Sequence, residues 1–308
     1  MKGRFAPSPS GRMHLGNLFS ALLAWLSVRS QGGTMLLRME DLDPDRCREE
    51  YAAQVARDLE WLGLDWDEGY GAGGEAGPYR QSERGGIYAR AFAQLEQKGL
   101  IYPCYCTRAE RLAANAPHLG ENAGVYGGRC RRRSTEELAQ LAHSRKPAWR
   151  VTVPDREIVF EDGLQGLYQE NLAEDCGDFI LRRSDGVWAY QLAVTVDDGL
   201  MGVTEVVRGL DLLSSTPRQI WLLEQMGCTI PSYTHVPLLL SADGRRLSKR
   251  DRDMDLGVLQ QGKTAPEIVG ELAFLCGLLD RPEAVAPREL VPLFSWEKIG
   301  GESLKVKE

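Results

Sequence analysis

Leu15, Leu18, Phe19, Leu22, Leu23 and Leu26 recur at the spacing of one helical face, so a helix starts near Met13 or His14 and stops at Gly32-Gly33. Ahead of it, Lys2 to Ala6 predicts a short buried strand. Pro7 and Pro9 then break the backbone into a loop, because proline neither donates to a ladder nor fits a helix interior. Thr34 to Met39 predicts the next strand and delivers Glu40, Asp41 and Asp43 at its carboxyl end. Tyr51, Val55, Leu59 and Leu62 share the face of a helix expected to begin at Pro44 and end at Gly63. Ile87, Ala91 and Leu95 mark another, from about Glu83 to Lys98. This part of the chain predicts an α/β fold whose parallel sheet takes its ligand at the carboxyl ends of the strands.

Beyond Ile101 the pattern is mixed. Ser134 and Glu137 form a capping box for a short helix, Trp149–Val153, Ile158–Phe160 and Phe179–Arg183 read as strands, and Ser184-Asp185-Gly186 reads as a hairpin turn. Trp188 to Val196 reads as the return of the main sheet, followed by a strand over Thr204–Val207, a helix through Thr216, Pro217 and Ile220–Met226, and a buried strand over Val236–Leu240. Thr264 and Glu267 cap a further helix carrying Ile268, Leu272 and Leu275.

Composition narrows the classes. A chain of 308 residues can bury a large core, and its formal charge of −7 argues against indiscriminate nucleic-acid binding while leaving room for a local basic face. Seven scattered cysteines, with no signal-peptide pattern or long apolar run, point to a reducing cytoplasm and no membrane association. No repeat or low-complexity tract is present; Gly69 to Gly77 is only a glycine-rich loop.

Two stretches carry candidate phosphate chemistry. Arg4 to Asn17 reads RFAPSPSGRMHLGN, a strand, a small-residue loop and a helix N-terminus. Free backbone N–H groups and the positive helix end would face an anion there, with His14 able to donate and Gly16 leaving room. Equally, this is ordinary turn chemistry with a histidine cap. Ala242 to Asp251 reads ADGRRLSKRD, a turn followed by cations, in which Lys249 suits a polyphosphate. A third stretch offers a metal site: Cys104 and Cys106 in C-x-C, then Cys130, with Tyr126 or His118 as fourth ligand, would close a tetrahedral zinc site, although buried cysteines are common without one. The basic run Arg129 and Arg131–Arg133 suits RNA phosphate or a merely solvated face.

Taken together, HLGN resembles the "HIGH" signature of class I aminoacyl-tRNA synthetases and RLSKR resembles their "KMSKS" loop. RFAPSPSG, LRMEDLDPDR (Leu37–Arg46), AYQLAVTVDD (Ala189–Asp198) and VVRGLDLLSSTPRQ (Val206–Gln219) resemble the glutamyl-tRNA synthetase catalytic domain, from Arg4 to about Asp251. The resemblance implies a class I Rossmann-type parallel sheet with its halves at 1–102 and 188–245. At 103–187 it implies an inserted α+β subdomain like the one that binds the tRNA acceptor end, with a zinc knuckle, and at 246–308 the lysine loop and a short helical C-terminal extension. It assigns His14 and Lys249 to catalysis, and His14, Gly16, Asn17 and Lys249 to ATP with its Mg²⁺. Arg4, Ala6, Ser8, Glu40, Tyr190 and Arg208 fall to L-glutamate, and Cys104, Cys106, Tyr126 and Cys130 to Zn²⁺. Gln191 and Leu192 stand where full-length enzymes carry Asn-Phe, and Arg246 and Arg250 replace the first Lys and last Ser of the loop signature. The short stretch after Arg250 leaves no room for the large helical anticodon-binding region. The resemblance is therefore to the truncated glutamyl-queuosine tRNA(Asp) synthetases, which attach glutamate to queuosine in the anticodon loop of tRNA(Asp), and a monomer is expected. An ordinary glutamyl-tRNA synthetase, a non-catalytic ATP- or RNA-binding paralogue and another class I nucleotidyl transferase are the alternatives.

Overall fold

The structure, a computed structural model, describes residues 1–107, 125–245, 247 and 255–306. The chain opens on strand β1 (Lys2–Phe5), helix α1 (Leu15–Ser30), β2 (Thr34–Leu37), α2 (Glu49–Leu62), the two-residue β3 (Glu68–Gly69) and α3 (Gly85–Gln97). Helix α1 is apolar on nearly every side because it is buried nearly all round: Leu18, Phe19, Leu22, Leu23 and Leu26 are each no more than 1% exposed. Gly3 is what lets it lie so close to β1, since a Cβ there would sit 2.3 Å from Val28 Cγ2. Helix α2 starts later than expected. Asp43 accepts from the Asp45 N–H (3.2 Å) and the Arg46 Nε (3.0 Å), tying Pro44–Arg46 into a turn, so the helix begins at Glu49 and ends on the left-handed Gly63.

The middle of the chain gives β4 (Ile101–Cys104), α4 (Thr135–Ser144), β5 (Ala148–Val151), β6 (Glu157–Asp162), β7 (Gly166–Asn171), β8 (Phe179–Arg182) and α5 (Tyr190–Leu200). Strands β4, β5 and β8 form a separate antiparallel sheet with β5 central. The capping box of α4 forms as expected, with Glu137 N–H donating to Ser134 Oγ (3.2 Å) and Ser134 N–H to Glu137 Oε2 (2.8 Å). Tyr190–Leu200 is a helix and not the predicted strand. Its aromatic and β-branched residues carry strand propensity, but Leu192, Ala193 and Val196 fall on one helical face and pack into the core with Ile220, Trp221 and Leu222.

Next come β9 (Glu205–Gly209), α6 (Thr216–Met226), β10 (Ser232–Val236), β11 (Leu239–Leu240), α7 (Leu256–Gly262), α8 (Ala265–Leu275), α9 (Pro287–Leu290) and β12 (Leu304–Lys305). The expected strand Val236–Leu240 is split at Pro237, which has no N–H for a ladder; β11 pairs instead with β12. The main sheet runs β3-β2-β1-β9-β10-β6-β7, parallel except for the hairpin β6–β7. That hairpin lies within the segment read as an insertion yet joins the main sheet where Asp162 faces Tyr233. Both faces of the sheet are covered: Met35 and Leu37 of β2 enter the core beneath α1, α2 and α8, while Leu36 between them enters the core beneath α3, α5 and α6. Among the described residues no helix is long and apolar enough to cross a membrane.

Candidate active site

Strand β1 is where the strand order reverses, since β2 and β3 lie on one side of it and β9 and β10 on the other. In an open α/β sheet the crevice beyond the carboxyl ends at such a point is the natural ligand site. Here it holds a cavity of about 380 Å³, lined among others by Arg4, Ala6, Ser8, His14, Gly16, Asn17, Glu40, Tyr190 and Arg208. These are all the candidate substrate residues that the structure describes. Lys249 lies outside the described residues, as do Arg246, Ser248, Arg250 and His118. The described residues on either side of 248–254 both reach the site: Leu247 lines the cavity, and Asp255 bridges to His14, with Leu256 N–H donating to Met13 O at 3.0 Å.

His14 is the N-cap of α1. Its Nδ1 accepts from the Gly16 N–H (3.1 Å), and its own N–H donates to Asn17 Oδ1 (3.2 Å). With Nδ1 accepting, the neutral ring carries its proton on Nε2. A Cβ on Gly16 would lie 3.1 Å from the imidazole, so this glycine makes space for the histidine ring at the cavity wall. The first turn of α1 holds no acidic side chain, which leaves its positive end for an anion. The histidine is thus both cap and cavity wall.

Across the cavity, Arg4 and Arg208 are each 5% exposed. Arg4 Nε lies 3.4 Å from Asp198, whose carboxylate also accepts from Arg38 Nη1 at 2.7 Å. Arg38 in turn reaches Glu40 Oε1 at 3.1 Å. Burial pushes the Glu40 carboxyl up, against the opposing pull of Arg38 and Arg4. Burial also acts on Asp198, but Arg38 and Arg4 outweigh it and hold that carboxyl below its ordinary value. Asp41, by contrast, is occupied locally, accepting from Ser82 N–H (2.8 Å), Ser82 Oγ (2.7 Å) and Arg80 Nε (3.0 Å).

Sequence reasoning missed a buried layer behind these groups: Arg38, Asp198, Asp162, His235 and Gln219 all carry polar contacts to a cavity residue or to its partner. The signal available was polar residues inside apolar strand and helix patterns, which a buried strand or helix tolerates only with a partner. Gln191, flagged as a departure from the Asn of longer enzymes, belongs to this layer as well. Its amide joins Ser215 Oγ and Gln219.

The class I tRNA synthetase catalytic-domain model for glutamate and glutamine (E and Q) matches residues 1–280. The chain belongs to this family. A "Glutamyl-Q tRNA(Asp) synthetase" of Symbiobacterium thermophilum is 50% identical over 308 residues, spanning 99% of this chain and 95% of that one. One of the same name from Nitratidesulfovibrio vulgaris is 52% identical over 299 residues, 96% and 92% of the two chains. The glutamate-tRNA synthetase structure from Elizabethkingia anophelis superposes with a TM-score of 0.85 at 28% identity, covering 100% of this chain and 68% of the other. The Rossmann-type class I fold read from the motifs is therefore the fold of this chain, and the chain is a ligase of the class I synthetase type.

This class I synthetase also carries a metal-competent knuckle on β4. The sulfurs of Cys104, Cys106 and Cys130 lie within 4.8 Å of one another, with Cys106 and Cys130 3.6 Å apart. The Tyr126 hydroxyl sits 3.5 Å from Cys104 Sγ and 3.4 Å from Cys106 Sγ. Tetrahedral thiolates around zinc stand about 3.8 Å apart for bonds of about 2.3 Å, so the donor set fits a four-coordinate ion. Arg150 braces it, with Nε 3.3 Å from Cys104 Sγ and its guanidinium carbon 3.8 Å over the Tyr126 ring.

Proposed function

We propose that this chain uses ATP to convert L-glutamate to glutamyl-adenylate and then transfers the glutamyl group to the queuosine base in the anticodon loop of tRNA(Asp). The observation that carries the first half is the single cavity joining the HLGN helix start to two buried guanidinium groups and Glu40. The acceptor base rests on the names of relatives that match this chain nearly end to end.

In the first step a carboxylate oxygen of glutamate attacks the α-phosphorus of ATP, the bond to the bridging oxygen breaks, and pyrophosphate leaves. His14, through Nε2–H, and the positive end of α1 are suited to hold phosphate oxygens, with the Gly16 N–H and Asn17 Oδ1 fixing the histidine. Lys249 is assigned to stabilising charge on the phosphates. Mg²⁺ arrives with the nucleotide and shields its charge. Glu40 takes the substrate ammonium, Arg4 and Arg208 its carboxylate groups, and Ala6, Ser8 and Tyr190 complete the walls. In the second step a hydroxyl of the cyclopentenediol ring attacks the mixed anhydride, losing its proton as AMP departs. The sulfurs of Cys104, Cys106 and Cys130 with the Tyr126 hydroxyl are assigned to one structural Zn²⁺.

The test has two arms. Label should exchange between pyrophosphate and ATP only when glutamate is present, without tRNA; no exchange removes the catalytic reading. Glutamate should then attach to tRNA(Asp) carrying queuosine and not to the same tRNA lacking it. Charging of the 3′ end instead would make the chain an ordinary glutamyl-tRNA synthetase.

A further inference from the structure

The two cavity arginines are held by chemically different neighbours. Arg4 has Asp198 beside it, whereas every acceptor around Arg208 is neutral: His235 Nε2 at 3.0 Å, Gln219 Oε1 at 2.7 Å, Thr216 Oγ1 at 2.8 Å and Leu212 O at 3.4 Å. Among the described residues, no carboxylate forms an ion pair with Arg208.

This neutral shell is wired in one direction. His235 accepts on Nε2, so its proton sits on Nδ1, 2.5 Å from Asp162 Oδ2. Burial drives the ring pKa down to about 4, with Asp162 only partly opposing, so the imidazole is uncharged at neutral pH. Gln219 Nε2 donates to Gln191 Oε1 at 3.0 Å, and Gln191 Nε2 donates to Ser215 Oγ at 3.0 Å. That chain fixes both amides, leaving the Gln219 oxygen, and not its nitrogen, toward Arg208. All of these groups are buried.

We infer that Gln219, with Thr216 and His235, sets the preference of the site for an acid over its amide, by holding Arg208 in place without neutralising it. This rests on the glutamate reading above and adds what makes the pocket demand a second carboxylate. A buried guanidinium with no carboxylate in direct ion pair, on which Asp198 acts only at longer range, is satisfied by a substrate carboxylate and left unpaired by a carboxamide, which is the strong form of discrimination. Supplying a carboxylate from the protein would satisfy it in advance.

The experiment compares glutamate and glutamine as substrates for pyrophosphate exchange in wild type, Gln219→Glu, Thr216→Asp and the neutral control Thr216→Asn. Both acidic variants should raise the glutamate KM about tenfold or more, leave the ATP KM within about twofold, and narrow the glutamate-to-glutamine ratio of kcat/KM about tenfold or more. Thr216→Asn should keep that ratio within about threefold of wild type. Thr216 opens α6, where a carboxylate is favoured by the helix end, so Thr216→Asp carries the test alone if Gln219→Glu fails to fold. An unchanged ratio in a folded acidic variant, or equal narrowing by Thr216→Asn, overturns the inference. A wild-type enzyme without glutamate-dependent exchange overturns the function reading instead.

Discussion

In the proposed mechanism Arg208, Lys249 and His235 act on the site in three different ways. Lys249 would contribute by charge at the moment the phosphorus bond breaks, so Lys249→Ala should lower kcat for pyrophosphate exchange by about 10²- to 10³-fold while KM values change only a few-fold. Unchanged turnover with raised KM would remove it from that role. His235 carries a stability signature. Unfolded, it takes a proton near its ordinary 6.5; folded, burial together with Arg208 outweighs Asp162 and delays protonation to about 4. Between those values the unfolded chain binds more protons, so stability present above pH 6.5 is lost as the pH falls toward 4, by roughly 3 kcal/mol from this residue. Urea titrations of wild type and His235→Gln at several pH values should show the gap between them shrinking toward acid pH; a pH-independent gap would refute the account. The sequence displayed Arg208 through its motif, but nothing in the one-dimensional pattern joined it to a histidine 27 residues away.

At the scale of elements, α1 and α5 mark the range of what periodicity can do. Helix α1 is long, regularly apolar and capped by its own His14, so its start was legible to within one or two residues. Helix α5 is short and carries two valines and a threonine in its middle, and only its packing against α6 decides its form. Strand β7, with the sequence GLYQEN, has no alternation to read, because one of its edges and much of its surface face solvent. The contact of α1 with β1 supplies a test of packing. Gly3→Ala should destabilise by about 1–3 kcal/mol through its clash with Val28, and Val28→Ala should rescue part of that loss, so that the double variant costs less than the two single costs added. Additive costs in urea unfolding would show that the approach at Gly3 is not what matters.

At the scale of the whole molecule, function depends on bringing distant stretches to one place. The reversal of strand order at β1 sets Arg4 beside Arg208, and the chain on both sides of 248–254 returns to the cavity wall. The knuckle is assembled the same way, from Cys104, Cys106, Tyr126 and Cys130 beside β5 and β8. Purified protein should contain about one zinc per chain; Cys130→Ser should lose it, and stripping it with a chelator should lower the melting temperature. Metal-free protein of unaltered stability would count against a structural role. By itself the sequence determined the α/β class, the helical character of α1, two motifs proposed to bind phosphate and the residue types available to the cavity, because those depend on local spacing and backbone preference. Only the tertiary structure decided that Tyr190 opens a helix, that β6 and β7 extend the main sheet, and which buried partners Arg4, Glu40 and Arg208 have, because desolvated polar groups choose their partners across space and not along the chain.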